Sequence, residues 1–423
     1  MEQQINFENQ RFYFKNLLVC VFALICSFTC FAQKPITDLK PTVILISLDG
    51  FRYDYLEKFQ PKILNKLAKE GVRAKWLIPS FPTKTFPNHY TIATGLYPEN
   101  HGIIENNIFD FDTVLTLGKR EEVQNSRWWL GESIWVTAEK QGQKAGAFFF
   151  PGTEAPIQAV RPTFWKEYDG KIPNETRVDT ILSWLDLPQK KRPTIYTLYF
   201  SDADDAGHSF SPVSNEVAAA VQKVDGNLGR LVEGLKARKV DKKVNLIIVS
   251  DHGMAKIYQQ NSVFLDDFFD FEKTQRILWT GKIVQIFSKD DTEAEITGNL
   301  QNKITNAKCW RKTDIPKRFH YNNSKRIAPI ICSADEGWVL TSHARFEETK
   351  KRADFLLPKG AHGYDNQLES MRALFVAHGK AFKKGKIVEP FENVEVYNLM
   401  AKILKLKPAP NDGNIKKVSY LLR

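Results

Sequence analysis

Three segments of the chain place acids and histidines directly after runs of residues that belong in a protein interior. Asp49-Gly50 follows ILISL, a stretch reading SDADDAGHSFSP follows LYF, and Asp251-His252-Gly253 follows LIIVS. A lone Asp after a strand is most often a helix cap or a turn residue. Three such ends, two of them carrying histidine, point instead to one shared site. Asp204 and His208 are four residues apart, Asp251 and His252 are adjacent, and His362 stands in AHGYDN. Together with Asp49 they make three carboxylates and three imidazoles, a mixed nitrogen and oxygen set suited to two Zn2+ ions. Mg2+ or Ca2+ sites, built from oxygen, seldom want three histidines. Most of the other histidines (His101, His320, His343, His378) read as structural or surface residues, and the position of His89 leaves its role open.

The segment 79–107, PSFPTKTFPNHYTIATGLYPENHGIIENN, supplies hydroxyls to such a site. It is punctuated by Pro and Gly and runs into a helix expected to begin near Asn88. Backbone N–H groups at a helix start attract anions, so a hydroxyl there is well placed to attack phosphorus. Ser80, Thr83, Thr85, Thr91 and Thr94 are the candidates, and spacing alone does not choose between Thr83 and Thr85.

These residues need elements to position them. The β-branched runs at 42–48, 194–200, 244–250 and 373–377 read as buried strands. Continuous apolar runs, unlike alternating ones, suit central strands covered on both faces. The stretch 214–236 carries Val217, Val221, Val224, Leu228, Leu231 and Leu235 at helical spacing, with Ser214 or Asn215 as the N-cap. Strands alternating with helices argue for an α/β fold with a mostly parallel central sheet and helices on both faces. Ligands in such folds gather beyond the carboxyl ends of the strands, where the acids and histidines lie. Residues 255–360 look less regular and basic, as an inserted cap or a set of long loops would.

The 423 residues carry 43% hydrophobic and 26% charged side chains, which excludes a disordered or fibrous chain. The net charge of +11 attracts phosphates, nucleotides or anionic surfaces without choosing among them. No repeat or linker divides the chain, so residues 33–423 are expected to form a single catalytic domain. The apolar run 17–31, preceded by Arg11 and Lys15, is short for a membrane span and suits a secretory signal. Cleavage after Ala32 removes two acids and two bases and leaves the charge at +11. An exported chain, periplasmic or secreted, with no stable membrane span is the expectation, an uncleaved run acting as a membrane anchor being the alternative, and its two remaining cysteines, Cys309 and Cys332, read most simply as one disulfide. Sequons stand at Asn174 and Asn322.

Taken in order, Asp49-Gly50, the run Thr85 to Tyr90 (TFPNHY), Thr94 to Pro98 (TGLYP), His101-Gly102-Ile103, Asp204 with His208, Asp251 to Met254 (DHGM) and His362 to Asp365 (HGYD) resemble the nucleotide pyrophosphatase/phosphodiesterase family of the alkaline phosphatase superfamily. The resemblance covers about residues 42–378. It implies an alkaline-phosphatase-like fold, a nucleophilic Thr85 that also touches one metal, and a phospho-threonine intermediate. Asp49, Asp251 and His252 match the ligands of the zinc that activates the hydroxyl, and Asp204, His208 and His362 those of the second zinc. Asn106 matches the asparagine that donates to a non-bridging phosphoryl oxygen. Phe86 and Tyr168 match the two rings that sandwich a base in nucleotide-cleaving members. Two positions depart from the family: Ala203 stands where Pro is common, and Ser211 where Gly is common. Neither removes a ligand.

The implied function is an exported two-zinc phosphodiesterase that cleaves small nucleotide substrates to nucleoside 5′-monophosphates. The same fold and metals also serve phosphomonoesterases and phospholipid-headgroup (choline or glycero) phosphodiesterases, which keeps that alternative open. A metal-stabilised binding protein without chemistry would not need Thr85. A specific nucleic-acid-binding module would show a recognition motif, and none accompanies the basic charge.

Overall fold

The computed structural model describes residues 34–423, so the proposed signal at 1–32 lies outside the described residues. The centre is an eight-stranded sheet. In chain order its strands are β1 (Val43–Leu48), β2 (Val72–Ala74), β3 (Ala145–Phe148), β4 (Phe164–Trp165), β5 (Ile195–Phe200), β6 (Asn245–Val249), β7 (Phe375–His378) and β8 (Lys386–Val388). Their order across the sheet is β8-β2-β7-β6-β1-β5-β3-β4. All neighbours pair parallel except β7, which runs antiparallel to both β6 and β2. The 373–377 run is therefore a strand of the sheet but the reversed one.

Every residue of β1, β5 and β6 is buried, because both faces are covered. Along β1 the side chains alternate between two cores: Val43 and Leu45 join one, Ile44, Ile46 and Leu48 the other. The second core takes helices α1 (Lys62–Glu70), α3 (Asn174–Leu185) and α5 (Asn215–Ala237), while α2 (Thr85–Thr94) and α6 (Glu395–Leu404) cover the first. Helix α4 (Asp202–Phe210) follows β5 with one residue between them. The six apolar residues expected to line α5 are all buried, and Ser214 caps it by accepting from the Val217 N–H.

Residues 255–360 are more ordered than their composition suggests. Thr274–Trp279, Ile283–Ser288, Ile330–Ala334 and Ala307–Arg311 form an antiparallel sheet in that order, with a core of its own. Cys309 and Cys332 lie opposite each other on its two neighbouring strands and are disulfide-bonded. Of the two sequons, Asn174 is buried and donates to Asp202 at 2.7 Å, whereas Asn322 is exposed. Among the described residues no helix is long and apolar enough to cross a membrane.

Candidate metal centre and active site

The sheet register brings the acids together. Leu48 is level with Phe200, and Ser47 with Val249, so β1, β5 and β6 end side by side. Asp49 leaves β1 directly and Asp251 stands two residues beyond β6. Asp204 and His208 occupy successive turns of α4 on one face. His362 arrives on the short strand Lys359–Ala361, which pairs with Ala255–Ile257 just after Asp251-His252.

The result is a compact donor cluster. His252 Nε2 is 2.9 Å from Asp251 Oδ2, 3.5 Å from Asp49 Oδ1 and 3.4 Å from Thr85 Oγ1. His208 Nε2 is 3.4 Å from Asp204 Oδ2 and 3.1 Å from His362 Nε2. The rings of His252 and His362 stack at 3.6 Å. Ligand atoms of Asp204, His208 and His362 lie within 4.8 Å of one another, as do those of Asp49, Asp204 and His252.

Each of the three imidazoles is held from behind. Nδ1–H donates to a backbone carbonyl in every case: His208 to Gly360 at 2.9 Å, His252 to Gly253 at 2.9 Å and His362 to Thr83 at 2.8 Å. A carbonyl can only accept, so each ring in its neutral form turns its Nε2 lone pair inward, the arrangement that ligating histidines adopt. Two lone pairs 3.1 Å apart, as in His208 and His362, need a shared positive group between them. Asp49 Oδ1, Asp204 Oδ1 and Asp251 Oδ2 are buried with no hydrogen-bond partner, which a buried carboxylate rarely tolerates. Inward lone pairs and orphaned carboxylate oxygens fit divalent cations.

Charge is shared within the cluster: burial acts downward on His252, but Asp251 and Asp204 outweigh it and raise the ring above its ordinary value. Burial, then the charges of Asp251 and Asp204, push Asp49 well above the usual carboxylate range. Burial also raises Asp204, against the pull of His208 and His252. For Asp251 burial acts upward, but His252 and His89 outweigh it and hold the group well below its ordinary value. Burial, followed by His252 and His208, drives His362 well down.

Of the hydroxyl candidates, four are engaged away from the cluster. Ser80 donates to Asn393 Oδ1, Thr94 to the Tyr90 carbonyl, and Thr91 bonds His101. Thr83 is fully buried, donating to the Tyr364 carbonyl and accepting from the Gly363 N–H. Thr85 alone faces the donor cluster. It is the first residue of α2, which starts three residues before the expected Asn88. The earlier start has a cause: Asn88 folds back, donating to the carbonyls of Lys84 and Pro82 and accepting from the Ser80 N–H, and so ties the loop to the helix. Asn106 Oδ1 accepts from the Phe86 N–H at 2.9 Å. Among the described residues its amide N–H2 has no hydrogen-bond partner.

Phe86 and Tyr168 line one cavity of about 220 Å³ beside Asp49, Thr85 and Asp204. Trp129 backs the Phe86 ring at 5.7 Å, and Phe149 backs Tyr168 at 5.0 Å. Tyr168 keeps 39% of its surface exposed, consistent with an open edge to the cavity. Glu154 and Arg120, paired with each other, add a polar patch to the wall.

Beside the cluster lie His89, whose role the sequence left open, and Tyr199, which it missed. His89 is fully buried, its Nδ1 lying 2.8 Å from the Thr85 carbonyl and 3.3 Å from Asp251 Oδ2, with Ser47 Oγ 2.7 Å from Nε2. Its spacing of four residues from Thr85 on one helix was the available signal. Tyr199 donates to Asp49 Oδ2 at 2.6 Å, and as an aromatic inside a strand it gave no signal.

The departure at Ser211 also finds its reason. Its φ of 81° and ψ of 149° fall in a region that glycine alone enters freely. Ala203 is buried in the second core and disturbs nothing.

The family model for type I phosphodiesterase / nucleotide pyrophosphatase matches residues 43–365. A venom phosphodiesterase of Crotalus durissus collilineatus is 41% identical over 94% of this chain and 48% of its own length. Ectonucleotide pyrophosphatase/phosphodiesterase family member 3 of Bos taurus is 41% identical over 90% of this chain and 44% of its own. The chain thus spans about half the length of the curated relatives it matches. Murine ectonucleotide pyrophosphatase/phosphodiesterase 5 superposes with a TM-score of 0.83 at 35% identity, covering 90% of this chain and all of that one. An inactive threonine-to-alanine form of that murine protein, in complex with AMP, matches equally well at 34% identity. The alkaline-phosphatase-like α/β fold, the ordered motifs and these matches agree: the chain belongs to the type I phosphodiesterase / nucleotide pyrophosphatase family.

Proposed function

We propose that this chain is an exported phosphodiesterase that cleaves the phosphodiester or pyrophosphate bonds of nucleotides and releases nucleoside 5′-monophosphates. The observation that carries this reading is the meeting of Asp49, Asp204, His208, Asp251, His252 and His362 beside the hydroxyl of Thr85. Asp49, Asp251, His252 and Thr85 would hold one Zn2+, and Asp204, His208 and His362 a second. When bound, such ions favour ionisation of a nearby hydroxyl and stabilise a departing oxygen.

The chain's own groups do the rest. Thr85 Oγ attacks phosphorus in line, its proton leaving to solvent. The new Oγ–P bond forms as the bond to the leaving oxygen breaks. The Asn106 amide, fixed by its bond to the Phe86 N–H, donates to a non-bridging oxygen as charge grows there. Water then cleaves the Oγ–P bond, giving the monophosphate and restoring the hydroxyl. Phe86 and Tyr168 receive the base, and stacking of this kind contributes about 1–3 kcal/mol per base. An AMP complex in a structural neighbour supports a nucleotide in this pocket. Export is supported by the venom and ecto-enzyme names of relatives and by the signal-like run at 17–31. We take residues 33–423 as one catalytic domain that includes the sheet within 255–360.

The test is hydrolysis of p-nitrophenyl thymidine 5′-monophosphate against bis- and mono-p-nitrophenyl phosphate. It uses residues 33–423 with and without zinc, alongside Thr85→Ala. Preference for the nucleotide ester, lost in Thr85→Ala and on chelation, supports the reading. Preference for the monoester moves the chain to the phosphatases, and equal diester rates remove the base clamp.

A further inference from the structure

Residues 103–107 belong to no helix or strand, so the backbone groups of this stretch must find partners elsewhere. The stretch carries Asn106, and the inserted region 255–360 supplies partners on both sides of it. Tyr321 donates to the Ile104 carbonyl at 2.9 Å, and the Gln285 amide reaches the Asn107 carbonyl at 3.5 Å. Arg326 binds further out, to the Gly102 carbonyl at 2.8 Å and to Asp110 at 2.9 Å. The loop is therefore seated on the insertion along its length.

Glu105 stands at the centre of this seat and is fully buried. Its Oε2 accepts from the N–H groups of Asn106 at 2.5 Å and Asn107 at 3.3 Å. Its Oε1 accepts from the Thr280 hydroxyl at 2.9 Å and lies 3.7 Å from Lys84 Nζ, which is buried as well. Thr280 itself is fixed by a second bond, to the Ile283 carbonyl at 2.7 Å. A buried carboxylate facing a buried ammonium is held firmly, because neither charge can be left there alone. Lys84 directly precedes Thr85, and Phe86 directly follows it. The two segments are thus joined twice, Glu105 to Lys84 and Asn106 Oδ1 to the Phe86 N–H, with Thr85 between the two joined residues.

Resting on the functional reading above, we propose that Glu105 is a positioning residue for phosphoryl transfer: it holds the Asn106 amide in register with the Thr85 hydroxyl, and it is itself braced by the inserted region through Thr280. Glu105 acts only through Asn106, whose amide meets the phosphoryl oxygen. Its effect belongs to the transition state, where charge grows on that oxygen, and leaves substrate binding alone. The insertion is then a support for the reaction and more than a cover over it.

Glu105→Gln keeps the shape and one acceptor but removes the charge that Lys84 meets, and Glu105→Ala removes the acceptor too. Kinetics on p-nitrophenyl thymidine 5′-monophosphate and bis-p-nitrophenyl phosphate use the zinc-loaded chain 33–423. The expected kcat falls about tenfold in Glu105→Gln and about a hundredfold in Glu105→Ala, with KM within about twofold on both esters. Placed in an Asn106→Ala background, Glu105→Gln is expected to cost less than about twofold more. A kcat for Glu105→Gln equal to wild type, or the same tenfold loss in both backgrounds, overturns the proposal; a role in stability alone would not depend on the Asn106 amide. A second readout needs no turnover and uses the variant that folds most readily. Hydrogen exchange in the peptide spanning 104–107 is expected to speed up in Glu105→Gln while the β1 and β6 peptides stay as in wild type. Unchanged exchange at 104–107 overturns the bracing. Should wild type hydrolyse neither ester, the functional reading falls and the positioning role with it, and exchange then decides only whether Glu105 holds the loop.

Discussion

The role given to Asn106 can be separated from its structural duty by two substitutions. Its Oδ1 accepts from the Phe86 N–H at 2.9 Å at the start of α2, and its N–H2 is the group left to meet a phosphoryl oxygen. Asn106→Asp keeps an acceptor for Phe86 and removes the donor. Asn106→Ala removes both. Deleting one such donor costs about 10²–10³ in kcat, or about 2.7–4 kcal/mol of transition-state stabilisation. The Asp variant also adds a negative charge facing the substrate, so its loss belongs at the upper end of that range. Leaving the Phe86 N–H unpaired costs a further ~1–3 kcal/mol of stability in the Ala variant alone. For a chain of this size that lowers Tm by about 1–3 °C. Steady-state kinetics on p-nitrophenyl thymidine 5′-monophosphate, with thermal unfolding in parallel, read both quantities. The expected pattern is a large kcat loss in both variants and a Tm drop only in Asn106→Ala. An Asp variant within about threefold of wild-type kcat would mean that Asn106 only anchors the helix, and the donor role would be refuted.

Three other outcomes follow from the same coordinates. Phe86→Ala and Tyr168→Ala should each raise KM for the nucleotide ester about tenfold while changing bis-p-nitrophenyl phosphate hydrolysis much less, and parallel changes on both substrates would count against base stacking. Ser211→Gly should raise Tm, because glycine relieves a φ of 81° whose strain is about 1–3 kcal/mol; a lower Tm would show that the strain reading is wrong. His101 is buried and accepts the Ile103 N–H at Nδ1, and burial lowers it to about 3. Its folded value lies below its unfolded one, so the unfolded chain binds the extra proton. The stability this contributes is complete above pH 6.5 and declines as pH falls from 6.5 towards 3. Between pH 6.5 and 5 the loss is about 2 kcal/mol, and urea unfolding should show that slope in wild type and a flatter one in His101→Gln.

What the sequence disclosed and what it concealed divide along physical lines. The runs in β1, β5 and β6 are continuous because both faces of those strands are buried, and that continuity is visible without any structure. The six donor residues were visible because they sit just past strand ends or share a helix face. The reversed direction of β7 was not, since an apolar run reads the same both ways. Edge strands such as Val72–Ala74 and Lys386–Val388 are too short to leave a pattern. The sheet within 255–360 was hidden by its loops and by its many basic residues, although Ile283–Ser288 and Ile330–Ala334 are strongly apolar on their own. The choice of Thr85 over Thr83 needed either the resemblance or the coordinates. Two residues apart at the start of a helix, one hydroxyl turns inward to Tyr364 and the other toward His252.

The site is built from parts of unequal rigidity, and that difference bears on how substrate choice is set. Asp49 and Asp251 extend from central strands with almost no exposed surface, and Thr85 is tied down through Asn88 and Asn106. Precise placement of reacting groups requires this kind of support, because small errors in position are expensive in rate. The surface that would contact the rest of a substrate comes from elsewhere. Leu117, Arg120 and Tyr168, in the wall of the aromatic cavity, stand on loops or a short helix beyond the sheet. None of these residues belongs to the donor cluster. A chain with this core can therefore exchange one phosphodiester substrate for another by altering that wall, so the donor cluster bears on the proposed reaction and the wall on the choice of substrate.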